Sequence, residues 1–258
     1  MTKLEQYYNK FNEDKRLDRR HGNVEYVTTM KYIHRYLRDM PGAKILDVGA
    51  GTGKYSVALA EEGYDVTAVE LVKYNLGILK SKKSSVRAYQ GNALNLSRFQ
   101  DNSFDAVLLL GPMYHLFCWE DKVRALGEAA RVVRPGGLIF VAYCMNEYCV
   151  LIHGFRDGYI KESIRQGKVR EDFSTLSTEE DLYDYMRLEE IDALVEQSGL
   201  ERLRIISADG AANYMRRELN AMDDETYGLF IKYHLATCER RELLGAGAHT
   251  VDILRLPQ

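Results

Sequence analysis

Ile45-Leu46-Asp47-Val48-Gly49-Ala50-Gly51-Thr52-Gly53 decides the reading of this chain. An apolar run carrying one acid, Asp47, opens into glycines at every second position. Glycines let backbone N–H groups approach a bound molecule because no Cβ intervenes. About twenty residues on, the next apolar run ends in a second acid, Glu70. An acid at that place accepts hydrogen bonds from ribose hydroxyls. Together the loop and the acid predict an adenosine-containing cofactor. The competing reading, a strand–turn–helix corner with glycines for geometry alone, leaves both acids unexplained.

The glycine spacing narrows the cofactor. A dinucleotide fingerprint needs G-x-G-x-x-G, its third glycine allowing close helix–strand packing. Here the third glycine falls one residue early, at Gly53, and the dinucleotide position holds Lys54. Asp47, two residues before Gly49, would repel a pyrophosphate. It suits a cationic ligand, such as the ammonium or sulfonium of S-adenosylmethionine.

The remaining composition sets bounds. The chain has 258 residues, 46% hydrophobic and 28% charged, with a net charge of −3. That length suits one α/β domain with an insertion. No global basic field draws such a chain to nucleic acid. No apolar stretch suggests a signal peptide or a membrane span. Cys118, Cys144, Cys149 and Cys238 form neither a C-x-x-C pair nor a disulfide framework and read as reduced, buried thiols. The expected address is the cytoplasm, with no membrane association, no metal, and a monomer or homodimer as the assembly.

Residues 1–42 read as an N-terminal helical arm. Tyr7, Tyr8 and Phe11 make one apolar stripe, and Val24, Val27, Met30, Ile33, Tyr36 and Leu37 another. From 43 onward short apolar runs alternate with helical segments, the pattern of a parallel sheet covered on both faces. Strands are predicted at 44–48, 65–70, 85–90, 104–110 and 137–143. A helix at about 119–133 carries Val123, Leu126, Ala130 and Val133, with Pro135-Gly136-Gly137 turning the chain into the fifth strand. The rhythm breaks over 145–187, read as a lid insertion rich in Tyr148, Tyr159, Tyr183 and Tyr185. A helix at 188–198, a strand at 200–207, helical pieces at 211–221 and 224–242 and a last strand at 250–256 complete the pattern. The expected fold is α/β: a doubly wound, Rossmann-like seven-stranded sheet, its last strand antiparallel, with a helical lid.

These residues resemble the class I S-adenosylmethionine-dependent methyltransferases over about 40–145 and the last two strands. Ile45 to Gly53 looks like the family's first motif, and Glu70 like its ribose-binding acid. Gly91-Asn92-Ala93 matches the adenine-contacting turn, which often reads Gly-Asp-Ala; Asn92 departs from it by losing a charge. Phe104-Asp105-Ala106-Val107 and Arg134-Pro135-Gly136-Gly137 match the fourth-strand motif and the turn before the fifth. Leu110-Gly111-Pro112-Met113-Tyr114-His115-Leu116 is similar to a Leu-Gly-Pro-Leu-Tyr-His-Leu run in a bacterial subgroup, which also carries an arm like Arg20-His21-Gly22-Asn23-Val24-Glu25. The resemblance implies that Asp47, Gly49, Ala50, Gly51 and Gly53 meet the methionine end of the cofactor. Glu70 and Leu71 then meet the ribose side, Asn92 and Ala93 the adenine, and Leu110 and Gly111 the pocket wall.

Just beyond the fourth strand, Tyr114 and His115 are the candidate catalytic and substrate-binding residues. An imidazole titrates near neutrality and takes a proton from a neutral acceptor; setting the pocket's shape is the other role open to His115. Tyr114 lines the methyl channel or packs under the insertion. Arg20 is a candidate for the cofactor carboxylate, or else part of a solvated basic helix end with Arg16 and Arg19. His249 is a candidate substrate contact, or a turn histidine with no chemical role. Six acids between 171 and 184, Glu171, Asp172, Glu179, Glu180, Asp181 and Asp184, form either a solvated surface or, with nearby tyrosines, an amine site.

The leading expectation is therefore a methyltransferase acting on a small-molecule substrate. The alternatives are a methyltransferase acting on RNA or protein, and a non-catalytic S-adenosylmethionine-binding module. A nicotinamide oxidoreductase is disfavoured by Lys54 and Asp47.

Overall fold

The computed structural model describes residues 3–10 and 13–258; Phe11 of the first expected stripe lies outside them. Seven strands form one sheet in the order β3-β2-β1-β4-β5-β7-β6. They run β1 Lys44–Val48, β2 Asp65–Glu70, β3 Arg87–Gln90, β4 Phe104–Leu109, β5 Val133–Cys144, β6 Glu201–Ser207 and β7 His249–Arg255. The β1–β2, β1–β4, β2–β3 and β4–β5 pairs are parallel, while β7 runs antiparallel to both β5 and β6. Doubly wound topology with one reversed strand is thus the observed architecture.

Successive strand residues point to opposite faces, and both faces are covered. Leu46, Val48, Val107, Leu109, Ile139 and Val141 pack on one side against α6 (Trp119–Val132) and α9 (Leu188–Ser198). Helix α6 has that face because Lys122, Ala125, Leu126, Ala129 and Val132 recur at three- and four-residue spacing. On the other side Ile45, Ala106, Leu108, Phe140 and Ile253 meet α3 (Arg20–Leu37) and α4 (Lys54–Glu61), while Tyr227, Phe230 and Ile231 of α11 (Asp224–Thr237) pack with Val24 of α3. Met30, Ile33 and Leu37, all within the expected 1–42 segment, bury α3 in this layer.

Ahead of α3 come two short helices, α1 (Lys3–Tyr8) and α2 (Glu13–Asp18). The 3₁₀ turn Pro112–His115 follows β4, and α5 (Lys73–Ser81) follows β2. The insertion at 145–187 holds α7 (Asn146–Cys149), a π-helical turn Val150–Arg156 and α8 (Ile160–Arg165). Lys122, buried on α6, pairs with Asp184 at 2.7 Å and pins the end of the insertion to the domain. Further on, α10 covers Arg216–Ala221, shorter than the helix expected at 211–221. Cys118 is exposed, contrary to the expectation that all four thiols are buried; Cys144 and Cys238 are buried and Cys149 is partly so. Among the described residues no helix is long and apolar enough to cross a membrane.

Candidate cofactor and acceptor site

Strands β1 and β4 are neighbours where the strand order reverses, and a crevice opens at their carboxyl ends. The loop leaving β1 doubles back at once: Gly49 N and Ala50 N both donate to Val69 O, at 2.8 and 3.1 Å. Gly49 has φ +74°, and a Cβ there would stand 2.8 Å from the Pro112 ring. Only glycine therefore lets the β1 and β4 loops touch. Gly51 has φ +57° and would meet nothing within 4 Å with a Cβ, leaving an open cradle.

Glu70 braces that cradle. Its Oε2 accepts from Gly51 N at 2.7 Å and its Oε1 from Val72 N at 2.7 Å. Asp47 is 2% exposed and accepts the Ser56 hydroxyl at 2.5 Å. Burial, with some help from the Glu70 charge, pushes the Asp47 carboxyl up to about 7 despite that hydrogen bond. Two buried acids side by side make a place for a cationic ligand.

The crevice is a cavity of about 750 Å³, within the usual range for small-molecule sites. Asp47, Gly49, Ala50, Gly51, Glu70 and Leu71 line it, as do Asn92, Ala93, Leu110, Gly111, Tyr114 and His115. Asn92 accepts from Leu94 N at 3.0 Å through its side-chain oxygen, which fixes the turn after β3. Asn75 was not anticipated. It is 2% exposed at the cavity wall, and its Oδ1 has no hydrogen-bond partner among the described residues. An orphaned acceptor of that kind fits a ligand carrying an amine or hydroxyl donor, as the adenosine of S-adenosylmethionine does.

At the opposite wall His115 Nδ1 lies 2.8 Å from Leu182 O, and its Nε2 lies 3.0 Å from the Tyr8 hydroxyl. A carbonyl only accepts, so Nδ1 carries the proton and Nε2 receives the Tyr8 O–H. Burial lowers the His115 pKa to about 4, outweighing the carbonyl, so the ring is neutral at pH 7. Tyr114 donates its hydroxyl to Leu110 O at 3.0 Å and stacks edge-on with His115 and Tyr183. Helix α1 closes over this end: Lys3 Nζ donates to Glu180 O and the Tyr7 ring packs edge-on against Tyr183. Within the acidic run, Asp172, Asp181 and Asp184 are paired with Arg187, Lys168 and Lys122.

Three expected site residues lie off the cavity. Gly53 caps α4 at φ +84°, where a Cβ would strike the Leu79 side chain at 2.2 Å, so it serves helix packing. Arg20 points to the C-terminal helices. It donates to Met222 O, pairs with Asp224 at 2.5 Å and lies over the Tyr227 ring. Arg16, four residues earlier on α2, lines the cavity instead. His249 stands behind Tyr114, ring centroids 6.3 Å apart, with Nδ1 2.8 Å from Asp209 Oδ2 and 3.4 Å from Glu25 Oε2. Burial opposes its charge, but Glu25, Cys144 and Asp209 prevail and raise its pKa well above the ordinary value.

The family described as "Methyltransferase domain" matches residues 46–141. A demethylmenaquinone methyltransferase of Bacillus cereus (strain ATCC 10987) is 30% identical over 191 residues, covering 68% of this chain and 77% of that protein. An uncharacterized methyltransferase of Mycobacterium tuberculosis (strain H37Rv) is 43% identical over 94 residues; the match covers 36% of this chain and only 37% of that relative. A solved S-adenosylmethionine-dependent methyltransferase from Methanosarcina mazei shares the fold, with a TM-score of 0.59 at 17% identity, over 88% of this chain and 97% of its own. One from Thermotoga maritima does so with a TM-score of 0.58 at 19% identity, over 98% of each chain. The chain belongs to the class I S-adenosylmethionine-dependent methyltransferases.

Proposed function

We propose that this chain transfers a methyl group from S-adenosylmethionine to a small-molecule acceptor. The observation that carries the reading is the Glu70–Gly51 brace at the floor of a cavity roofed by α1 and the insertion. The cofactor, when bound, supplies an activated methyl carbon on a sulfonium. The chain then has to align, enclose and manage a proton.

In this reading Asp47 and the Gly49–Gly51 loop receive the methionine end, and Arg16 replaces Arg20 as the partner of its carboxylate. Glu70 holds the ribose hydroxyls, with Leu71, Asn92, Ala93 and Asn75 around the adenosine and Leu110 and Gly111 at the wall. Tyr114, His115 and Tyr8 face the acceptor. His115 Nε2 already accepts the Tyr8 O–H, so a proton from an oxygen, nitrogen or thiol acceptor would pass to the Tyr8 oxygen as Tyr8 hands its own proton to Nε2. The closed roof favours a small acceptor over RNA or protein. His249 leaves the list of substrate contacts.

Incubation with S-adenosylmethionine and pools of amines, thiols and phenols tests the reading, with release of S-adenosylhomocysteine as the signal. The phenol pool includes a hydroquinone because the Bacillus relative carries a demethylmenaquinone name. Acceptor-dependent release supports the enzyme. Tight cofactor binding without turnover in any pool would favour the non-catalytic module.

A further inference from the structure

A line of charged side chains runs from Arg16 at the cavity wall into the interior. Arg16 grips Glu25 with both ends of its guanidinium, Nη1 to Oε2 at 2.7 Å and Nη2 to Oε1 at 3.1 Å. Glu25 in turn lies 3.4 Å from His249 Nδ1, and the same nitrogen is 2.8 Å from Asp209. Asp209 is held in place by four donors: Ala248 N at 3.0 Å and His249 N at 3.1 Å on Oδ1, Asn213 Nδ2 and His249 Nδ1, both at 2.8 Å, on Oδ2. With His249 as imidazolium the four charges alternate and cancel: Arg16 positive, Glu25 negative, His249 positive, Asp209 negative. The Asp209 and Glu25 side chains are 0% and 12% exposed, whereas Arg16 at the outer end is 28% exposed and borders the cavity.

We propose that Glu25, His249 and Asp209 form a buried charge chain that positions Arg16 in the cavity wall for the carboxylate of the cofactor's methionine end. The inference rests on the methyltransferase reading. Its physical basis is that a guanidinium held bidentate by a fixed carboxylate is oriented before the ligand arrives, which lowers the ordering cost of binding. The chain spans α2, α3, β7 and the segment after β6, so the same contacts tie the short N-terminal helix to the sheet. Glu25, Asp209 and His249 also place three potential metal-ligand atoms within 4.8 Å of one another. A cation there would compete with the Arg16 fork on Glu25 and with the N–H donors that Asp209 already accepts, so the charge chain is the reading the contacts favour.

The test compares two ligands by calorimetry: S-adenosylhomocysteine, and S-adenosyl-3-thiopropylamine, which keeps the amine and lacks the carboxylate. Arg16→Ala, Glu25→Gln and His249→Gln are each expected to weaken S-adenosylhomocysteine roughly ten- to hundredfold. Binding of the decarboxylated ligand should stay within about twofold of wild type, because the lost partner is one it never had. Arg16→Lys should restore little, since a lysine lacks the planar fork. Arg16→Ala replaces a partly exposed residue and tests the carboxylate contact by itself; if a neutral buried variant fails to fold, Glu25→Asp, which keeps the charge but shortens the reach to Arg16, tests the positioning with the same split between the two ligands. Equal weakening of both ligands, or of neither, would overturn the proposal. So would stoichiometric zinc binding to wild type that His249→Gln abolishes. Failure of wild type to bind S-adenosylhomocysteine would instead remove the methyltransferase reading beneath it.

Discussion

The main-chain N–H of Gly51 donates to Glu70 Oε2 at 2.7 Å, joining the tip of the glycine loop to the last residue of the neighbouring strand. Oε1 of the same carboxylate accepts from Val72 N at 2.7 Å. Glu70 thus sets the shape of the cradle before any ligand arrives, and a carboxylate with both oxygens so engaged still has lone pairs for ribose hydroxyls.

Glu70→Ala should therefore cost twice, through the ribose and through the loop. The expected loss of S-adenosylhomocysteine affinity is roughly 1–3 kcal/mol, read by calorimetry on protein with wild-type circular dichroism. Unchanged affinity in a folded variant would contradict the placement of Glu70.

Gly49→Ala should be harmful for a different reason. Its φ of +74° is costly for alanine, and the added Cβ meets the Pro112 ring at 2.8 Å. Destabilisation of about 1–3 kcal/mol is expected in urea melts, together with weaker ligand binding because the β1 and β4 loops are pushed apart.

Cofactor affinity should rise with pH across neutrality. Asp47 is protonated below about 7 in the free protein, and a bound ammonium favours its carboxylate, lowering that pKa. Binding at pH 6 then releases a proton, and affinity climbs toward pH 8 before levelling. Calorimetry at pH 6 in two buffers of different ionisation enthalpy measures that release. An Asp47→Asn protein should lose it.

The neutral state of His115 has a consequence for stability in acid. Its folded pKa, about 4, lies below the ordinary value of 6.5, so between those values the unfolded chain binds more protons. Stability associated with this residue is present above pH 6.5 and is lost as pH falls toward 4. The buried His21 and His234 are shifted in the same direction, so the difference between wild type and His115→Asn isolates the contribution. Urea melts at pH 7 and pH 5 should show a smaller drop for the variant.

Much of the fold can be read from the residues because parallel strands buried on both faces leave unbroken apolar runs. Lys44–Val48 and Asp65–Glu70 are strands over the expected residues. The start of β5 is less legible. Pro135-Gly136-Gly137 reads as a stop before a strand, yet these residues lie within Val133–Cys144, accommodated by a register shift opposite Phe104 and Ala106. At the site, the loop, Glu70 and the His115 turn were signalled by local motifs. Arg16 and Arg20 share one basic stretch, and the break between α2 and α3 decides which of them faces the cavity. Local spacing carries no sign of it. His249 is the clearest case: its role comes from Glu25 and Asp209, both distant in sequence, and from neither neighbour in the chain. Tyr8 reads only as part of an apolar stripe and nothing in the local sequence marks Asn75, and only the folded chain brings them to the cavity.

The most direct test of the central claim is calorimetric titration of the purified protein with S-adenosylhomocysteine, with NADH in parallel. The structure predicts micromolar or tighter binding of S-adenosylhomocysteine and none of NADH. No heat with S-adenosylhomocysteine, above all beside saturable binding of NADH, would contradict it.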